Sequence, residues 1–63
     1  MSVGPVAVDV DGETFAVGDR ALHTSNQLDS REVVDVLEEN MIALAIGSQV
    51  VDVPAENYWR VRG

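Results

Sequence analysis

Two arginines and two aromatic residues stand together in the segment YWRVR, residues 58–62. The chain has four Arg, no Lys, one Tyr and one Trp, so this segment concentrates unusual side chains. Alternate strand residues face opposite sides, so Tyr58, Arg60 and Arg62 should share one face, with Trp59 on the other, facing the core. Guanidinium groups bind phosphate or carboxylate, and a tyrosine ring offers a stacking surface. The segment therefore predicts a binding site for an anionic group, unless its arginines only pair with neighbouring carboxylates.

Other reactive side chains form no recognisable catalytic or metal-binding set. His23 is the only imidazole and Cys is absent, so neither a His–Cys pair nor a zinc cluster is available. The neighbouring carboxylates Asp9 with Asp11, and Glu38 with Glu39, are explained by turns and by solvated surface. We therefore expect no enzyme, no cofactor and no metal ligand.

Charge sets a second constraint on function. Eleven Asp and Glu face four Arg, which leaves a formal net charge of −7. A general nucleic-acid binder needs a cationic surface, so this balance argues against one. The composition resembles that of cytoplasmic proteins from salt-accumulating haloarchaea, in which molar salt shortens the Debye length to about 3 Å and screens self-repulsion. An acidic protein from a GC-rich organism that uses Arg in place of Lys would look the same.

Length and hydropathy predict one cytoplasmic domain over residues 1–63. No run of eighteen apolar residues exists, and the first residues lack the basic start and apolar block of a signal peptide. We expect no membrane partner.

The first half of the chain reads as β-structure. VAVDV and ETFAV flank an Asp-Gly pair, which predicts an N-terminal hairpin over residues 6–17. Gly18 and Asp19 predict a turn before a strand at residues 20–23. The polar run at residues 24–30 predicts the longest loop, which is a further candidate for recognition.

The stretch SREVVDVLEEN, residues 30–40, supports two readings. As a helix, it can be capped by Asp29 with Glu32 three residues later and stopped by Asn40. As a strand, its three Val favour a pleated surface, and EEN makes a short turn into MIALAI.

The order of elements over residues 17–61 resembles small SH3-like barrels of the KOW and Tudor-like kind. In these barrels a Gly-Asp turn opens the first strand, hairpins follow, and a short 3₁₀ turn such as PAEN precedes the closing strand. The resemblance implies an all-β SH3-like barrel whose last strand lies beside the first. That would gather the predicted binding residues, Arg20, His23, Tyr58, Arg60 and Arg62, in one area. Trp59 should then be buried beside the apolar residues of the next two strands (Ile42, Leu44, Ile46, Val51 and Val53).

An α+β alternative resembles the ubiquitin-like sulfur carriers, with a ββαβ grasp and a helix near residues 30–40. Those proteins need a terminal Gly-Gly, whereas this sequence ends at RVRG with one Gly. Three functions follow from these two folds. The first is a small, non-enzymatic halophilic interaction module with a protein partner. The second is an RNA- or ribonucleoprotein-associated barrel, and the third is a ubiquitin-like modifier or sulfur-carrier relative.

Overall fold

The computed structural model describes residues 4–61, with side chains throughout that range except at 27–29. These residues form a single antiparallel sheet with the strand order β4-β3-β2-β1-β5. Its elements are β1 (Arg20–His23), β2 (Asn26–Leu37), β3 (Met41–Ile46), β4 (Gln49–Pro54), a 3₁₀ turn (Ala55–Asn57) and β5 (Tyr58–Val61). The all-β prediction is confirmed. No helix in this part of the chain is long and apolar enough to cross a membrane.

Residues 30–37 belong to strand β2, so the helix predicted near residues 30–40 is wrong and the strand interpretation is confirmed. Strand β2 contains a β-bulge. Val33 pairs with Leu44 and Val36 with Ile42, so one extra residue of β2 is accommodated opposite β3. The bulge puts Val33 and Val36 on the same core face although they are three residues apart. A spacing of three is also the spacing of a helix face, so the two valines by themselves fit either element.

The long loop predicted at residues 24–30 is also wrong. Thr24 and Ser25 alone form the turn, and β2 starts at Asn26, opposite His23. The backbone N–H of Ser25 donates to His23 Nδ1 at 3.0 Å, which holds this tight turn. Polar side chains do not prevent backbone pairing, so a polar run can form a hairpin arm.

The N-terminal segment folds back on itself around the predicted Asp-Gly turn, but its ladder is a single bridge between Val8 and Thr14. The backbone N–H of Phe15 donates to the Ala7 carbonyl at 2.8 Å, and Gly12 adopts a φ of 86° in the turn. Ala7 and Phe15 are both buried. This segment therefore acts as a cover for one face of the sheet.

The core lies between that cover and the sheet. Ile42, Leu44 and Val33 are its largest fully buried side chains, and Val53 packs against them, as predicted for Ile42, Leu44 and Val53. Ile46 and Val51, also predicted to be core residues, are exposed.

The predicted orientation of β5 is wrong. Tyr58 packs against the core cluster, while Trp59 is half-buried and pairs across the sheet with Leu22 on the other face. Both aromatics are amphipathic enough to occupy either face, so the alternation of YWRV does not by itself decide which side faces the core.

Candidate functional site

Strand β5 does lie beside β1, but the register separates the predicted binding residues. Arg60 pairs with Ala21, and Arg20 pairs with Val61. Directly paired residues share a face of a sheet and consecutive residues alternate. Arg20 and Arg60 therefore lie on opposite faces, and the expectation that they form one cationic patch is wrong.

Arg60 lies on the covered face and is held by carboxylates. Its Nε donates to Asp19 Oδ2 at 2.6 Å, and only 15% of the Arg60 side chain and 16% of the Asp19 side chain are exposed. Glu13 Oε2 lies 3.9 Å from Arg60 Nη1. Asp19 Oδ2 also accepts the Ala16 N–H at 2.9 Å. Arg60 thus joins β5 to the turn before β1, as expected of a salt-bridge residue.

Arg20 lies on the opposite, exposed face. Its Nε donates to Ser30 Oγ at 2.7 Å and its Nη2 to the Ser30 carbonyl at 3.0 Å. These two bonds hold the guanidinium against β2. Arg62, the remaining predicted arginine, lies outside the described residues.

His23 and Tyr58 do come together, as cross-strand partners on β1 and β5. Their ring centroids are 4.9 Å apart and their planes cross at 87°, an edge-to-face contact. The His23 Nδ1 atom also lies 2.7 Å from Ser25 Oγ. Tyr58 is half-buried against the core, so little of its ring face is free for stacking.

Asp9 has a more specific structural role than its sequence context predicts. Its side chain is buried, with 5% of the residue exposed. Oδ1 accepts the backbone N–H groups of Asp11 and Glu13, at 2.9 and 2.7 Å, and Oδ2 accepts the N–H of Arg60 at 2.8 Å. The D-x-D-G pattern signals the turn, but it contains no sign of the bond to residue 60.

The two edges of the sheet differ in their protection. At the β5 edge, the N–H of Val10 donates to the Tyr58 carbonyl at 3.0 Å, and the N–H of Arg60 donates to Asp9 Oδ2. Beyond β4, within the described residues 4–61, residues 49–53 form no backbone hydrogen bond outside the pairing with strand β3, and Pro54 leads directly into the 3₁₀ turn. We call this outer side of Gln49–Pro54 the β4 edge.

The β4 edge is apolar at its start. Val50 is 61% exposed, Val51 38% and the neighbouring Ile46 39%. Sequence reasoning missed this site because it assigned VVDV to a buried strand. The place of β4 at the end of the strand order would have revealed it, since an edge strand keeps one side open.

The other end of the β4 edge is acidic. Asp52 is exposed on β4 itself, and Glu56 is exposed in the 3₁₀ turn that follows. Glu38 and Glu39 lie in the β2–β3 turn, beside the Met41–Pro54 pair. The three described arginines lie instead on the more distant strands β1, β2 and β5 (Arg20, Arg31 and Arg60). An apolar strand edge with acidic flanks is the most distinctive surface of the described chain.

Comparisons with known proteins do not assign a family. No family model, curated protein or solved structure matches this chain. Within residues 4–61 no group of three or more His, Asp or Glu side chains is arranged to hold a metal ion. The candidate site therefore rests on the geometry and charge of the β4 edge.

Proposed function

We propose that this chain is a small SH3-like barrel that acts as a non-enzymatic interaction module, and that it binds a protein partner through the β4 edge. The barrel assignment is supported by the strand order, with β5 beside β1 and a 3₁₀ turn between β4 and β5. The single observation that carries the function is the contrast between the two edges: one is hydrogen-bonded to the N-terminal segment, and the other is left open by the described residues 4–61.

An open edge strand is a template for pairing with another chain. Proteins usually protect such edges with charged side chains, Lys above all, with Pro, or by covering them. The chain covers its β5 edge and has no Lys. On β4, Asp52 and Pro54 protect the second half of the strand, but the first half keeps two exposed valines, Val50 and Val51. Retention of an apolar open edge is expected where a partner strand adds to the sheet.

The two alternatives have weaker support. RNA association needs clustered cations, whereas Arg20 and Arg60 lie on opposite faces and the net charge is −7. A ubiquitin-like modifier needs the helix that strand β2 replaces, so that alternative is not retained. We also propose that the acidic composition suits a cytoplasm with molar salt.

A pull-down with strand-specific variants tests the interaction module. In a two-residue hairpin the pair next to the turn, here Ile46 with Gln49, exchanges both hydrogen bonds, and pairs then alternate. The backbone of Val50 therefore points outward. Val50→Pro removes an outward N–H without removing a bond to β3, and Val50→Thr keeps it as the matched control.

We expect the unmodified chain and Val50→Thr to capture the same protein from a high-salt lysate of the cells that encode it, and Val50→Pro to lose it. Capture that disappears after nuclease treatment would favour the RNA alternative. A bait that retains no protein above the resin background, or a well-folded Val50→Pro variant that captures normally, would contradict the proposal.

A further inference from the structure

We infer that the β4 edge selects an extended protein segment in which apolar residues alternate with Lys or Arg, one of which pairs with Asp52. This inference rests on the proposed function and adds the chemistry of the partner. It follows from the backbone groups, the side-chain faces and the charges of β4.

The backbone of β4 offers outward hydrogen bonds at Val50 and Asp52. The alternation starts at the Ile46–Gln49 pair. The backbone N–H and C=O groups of Gln49, Val51 and Val53 therefore point toward β3, and those of the residues between them point outward. Pro54 comes next in the outward series. Proline is tolerated in a sheet where its missing N–H faces away from the neighbouring strand, and its position here agrees with this assignment.

The core face of β4 requires apolar partner residues. Val51 pairs with Leu44 and Val53 with Ile42, both of which are fully buried. Val51 is itself exposed because β4 is the last strand on this side of the sheet that residues 4–61 form. A segment added to β4 would place alternate side chains next to these valines, where apolar side chains extend the core.

The opposite face of β4 requires a cation. Asp52 pairs with Ala43 on that face, and within residues 4–61 its carboxylate has no hydrogen bond or ion pair. A Lys or Arg directly across from Asp52 would form an opposite-charge pair of the kind that stabilises neighbouring strands. Glu56, exposed in the following turn, adds attraction of the same sign.

A second copy of the chain is a poorer occupant of this edge. Two copies would each bring a net charge of −7 and no Lys. Pairing two β4 edges around a two-fold axis would also bring the Asp52 carboxylates toward each other, and like charges on adjacent strands destabilise a sheet. The charge of the chain therefore favours a basic partner segment.

Two synthetic peptides test this inference directly. One is a capped seven-residue peptide that alternates Val with Arg between terminal serines, and the other replaces each Arg with Glu. Amide chemical shifts and titrations would follow binding to the full chain in about 0.15 M and about 1 M KCl, where the Debye length is about 8 Å and about 3 Å.

The decisive variant is Asp52→Lys, with Asp11→Lys as its control. Each changes the net charge from −7 to −5, because one negative group is replaced by one positive group. Asp11 is exposed in the N-terminal turn, away from β4. We expect Asp52→Lys to weaken binding of the Arg peptide and to strengthen binding of the Glu peptide, each roughly two- to fivefold. Asp11→Lys should do much less, and shift changes should centre on residues 49–54.

Several outcomes would overturn the inference. Equal binding of both peptides, or an Asp11→Lys effect as large as that of Asp52→Lys, would show that no specific cation is selected at Asp52. A dimer that Val50→Pro abolishes, seen by sedimentation equilibrium, would make a second copy the occupant. If neither peptide binds while lysate capture still depends on Val50, this inference fails and the proposed function stands. If capture is also absent, both fail.

Discussion

Arg60 is held twice, through its side chain by Asp19 and through its backbone amide by Asp9. Both contacts are shielded from solvent, since the Arg60 and Asp19 side chains are about five-sixths covered. Arg20, by contrast, bonds Ser30 on an exposed face. The two arginines thus differ in their contribution to stability although they have the same charge.

Replacing Arg60 with Gln should lower the free energy of unfolding by about 1–3 kcal/mol, because a charge-assisted hydrogen bond is lost from a partly buried site. Arg20→Gln is the matched control, since it removes the same charge from an exposed position and should cost less than about 1 kcal/mol. Chemical denaturation of both variants measures the difference. Equal losses would mean that the Asp19 contact contributes nothing beyond net charge.

Among the elements, the β2–β3 turn is the most constrained. Glu39 and Asn40 have φ values of 61° and 58°, in the left-handed region that costs residues other than Gly about 1–2 kcal/mol. Asn40 offsets this cost through its side chain. Its Oδ1 accepts the Val8 N–H at 2.7 Å and its Nδ2 donates to the Val8 carbonyl at 3.3 Å. The turn therefore anchors the N-terminal cover, and Asn suits a left-handed position better than most residues.

No side-chain hydrogen bond within the described chain offsets the cost of the positive φ at Glu39. Because Gly adopts this conformation without strain, Glu39→Gly should raise the free energy of unfolding by about 0.5–1 kcal/mol. Glu38→Gly removes the same charge from the same turn, at a residue whose φ is not positive, and should not stabilise. Thermal unfolding of the pair tests this. A stabilisation shared by both variants would point to charge relief in place of backbone strain.

How far the sequence predicts the fold depends on the element. Gly18, Asp19 and the Asp-Gly pair correctly mark turns, because their backbone preferences are local. The faces of β2 and β5 are not local properties. The bulge after Val33 shifts which residues of β2 meet the core, and the register with Ala21 determines that Tyr58, not Trp59, faces inward. Such shifts depend on partners distant in the chain.

The candidate site was harder to predict for the same reason. The pattern VVDV is typical of a buried strand, and nothing within it reveals that no strand follows on its outer side. The predicted cationic patch does not form because Arg60 pairs with Ala21, the residue after Arg20, which puts the two arginines on opposite faces of the sheet. Composition does establish the net negative charge from which a basic partner segment is proposed.

For the whole molecule, charge is distributed unevenly. The described arginines lie on β1, β2 and β5, and the β4 side carries Asp52 and Glu56 without a described cation. With eleven acidic residues and a net charge of −7, self-repulsion works against the compact state.

Raising KCl from dilute to molar concentration should therefore increase the thermal unfolding midpoint, because screening weakens this repulsion. A variant with four exposed acids neutralised (Asp11→Asn, Glu38→Gln, Asp52→Asn and Glu56→Gln) changes the net charge from −7 to −3 and should respond less. Scanning calorimetry across the salt range compares them. A flat midpoint in the unmodified chain, or identical slopes in both proteins, would remove the halophilic proposal.

The bond from Asp9 to the amide of Arg60 also orders events during synthesis. The two residues are 51 positions apart, so in a nascent chain this carboxylate cannot find its third donor until residue 60 has been synthesised. Contacts between such distant residues slow folding, because a long loop must close first. Until β5 emerges from the ribosome, the apolar side chains of Ala7 and Phe15 cannot be fixed in place by this bond. This bond therefore forms only after synthesis of β5, and it joins the N-terminal segment to the last strand of the described chain.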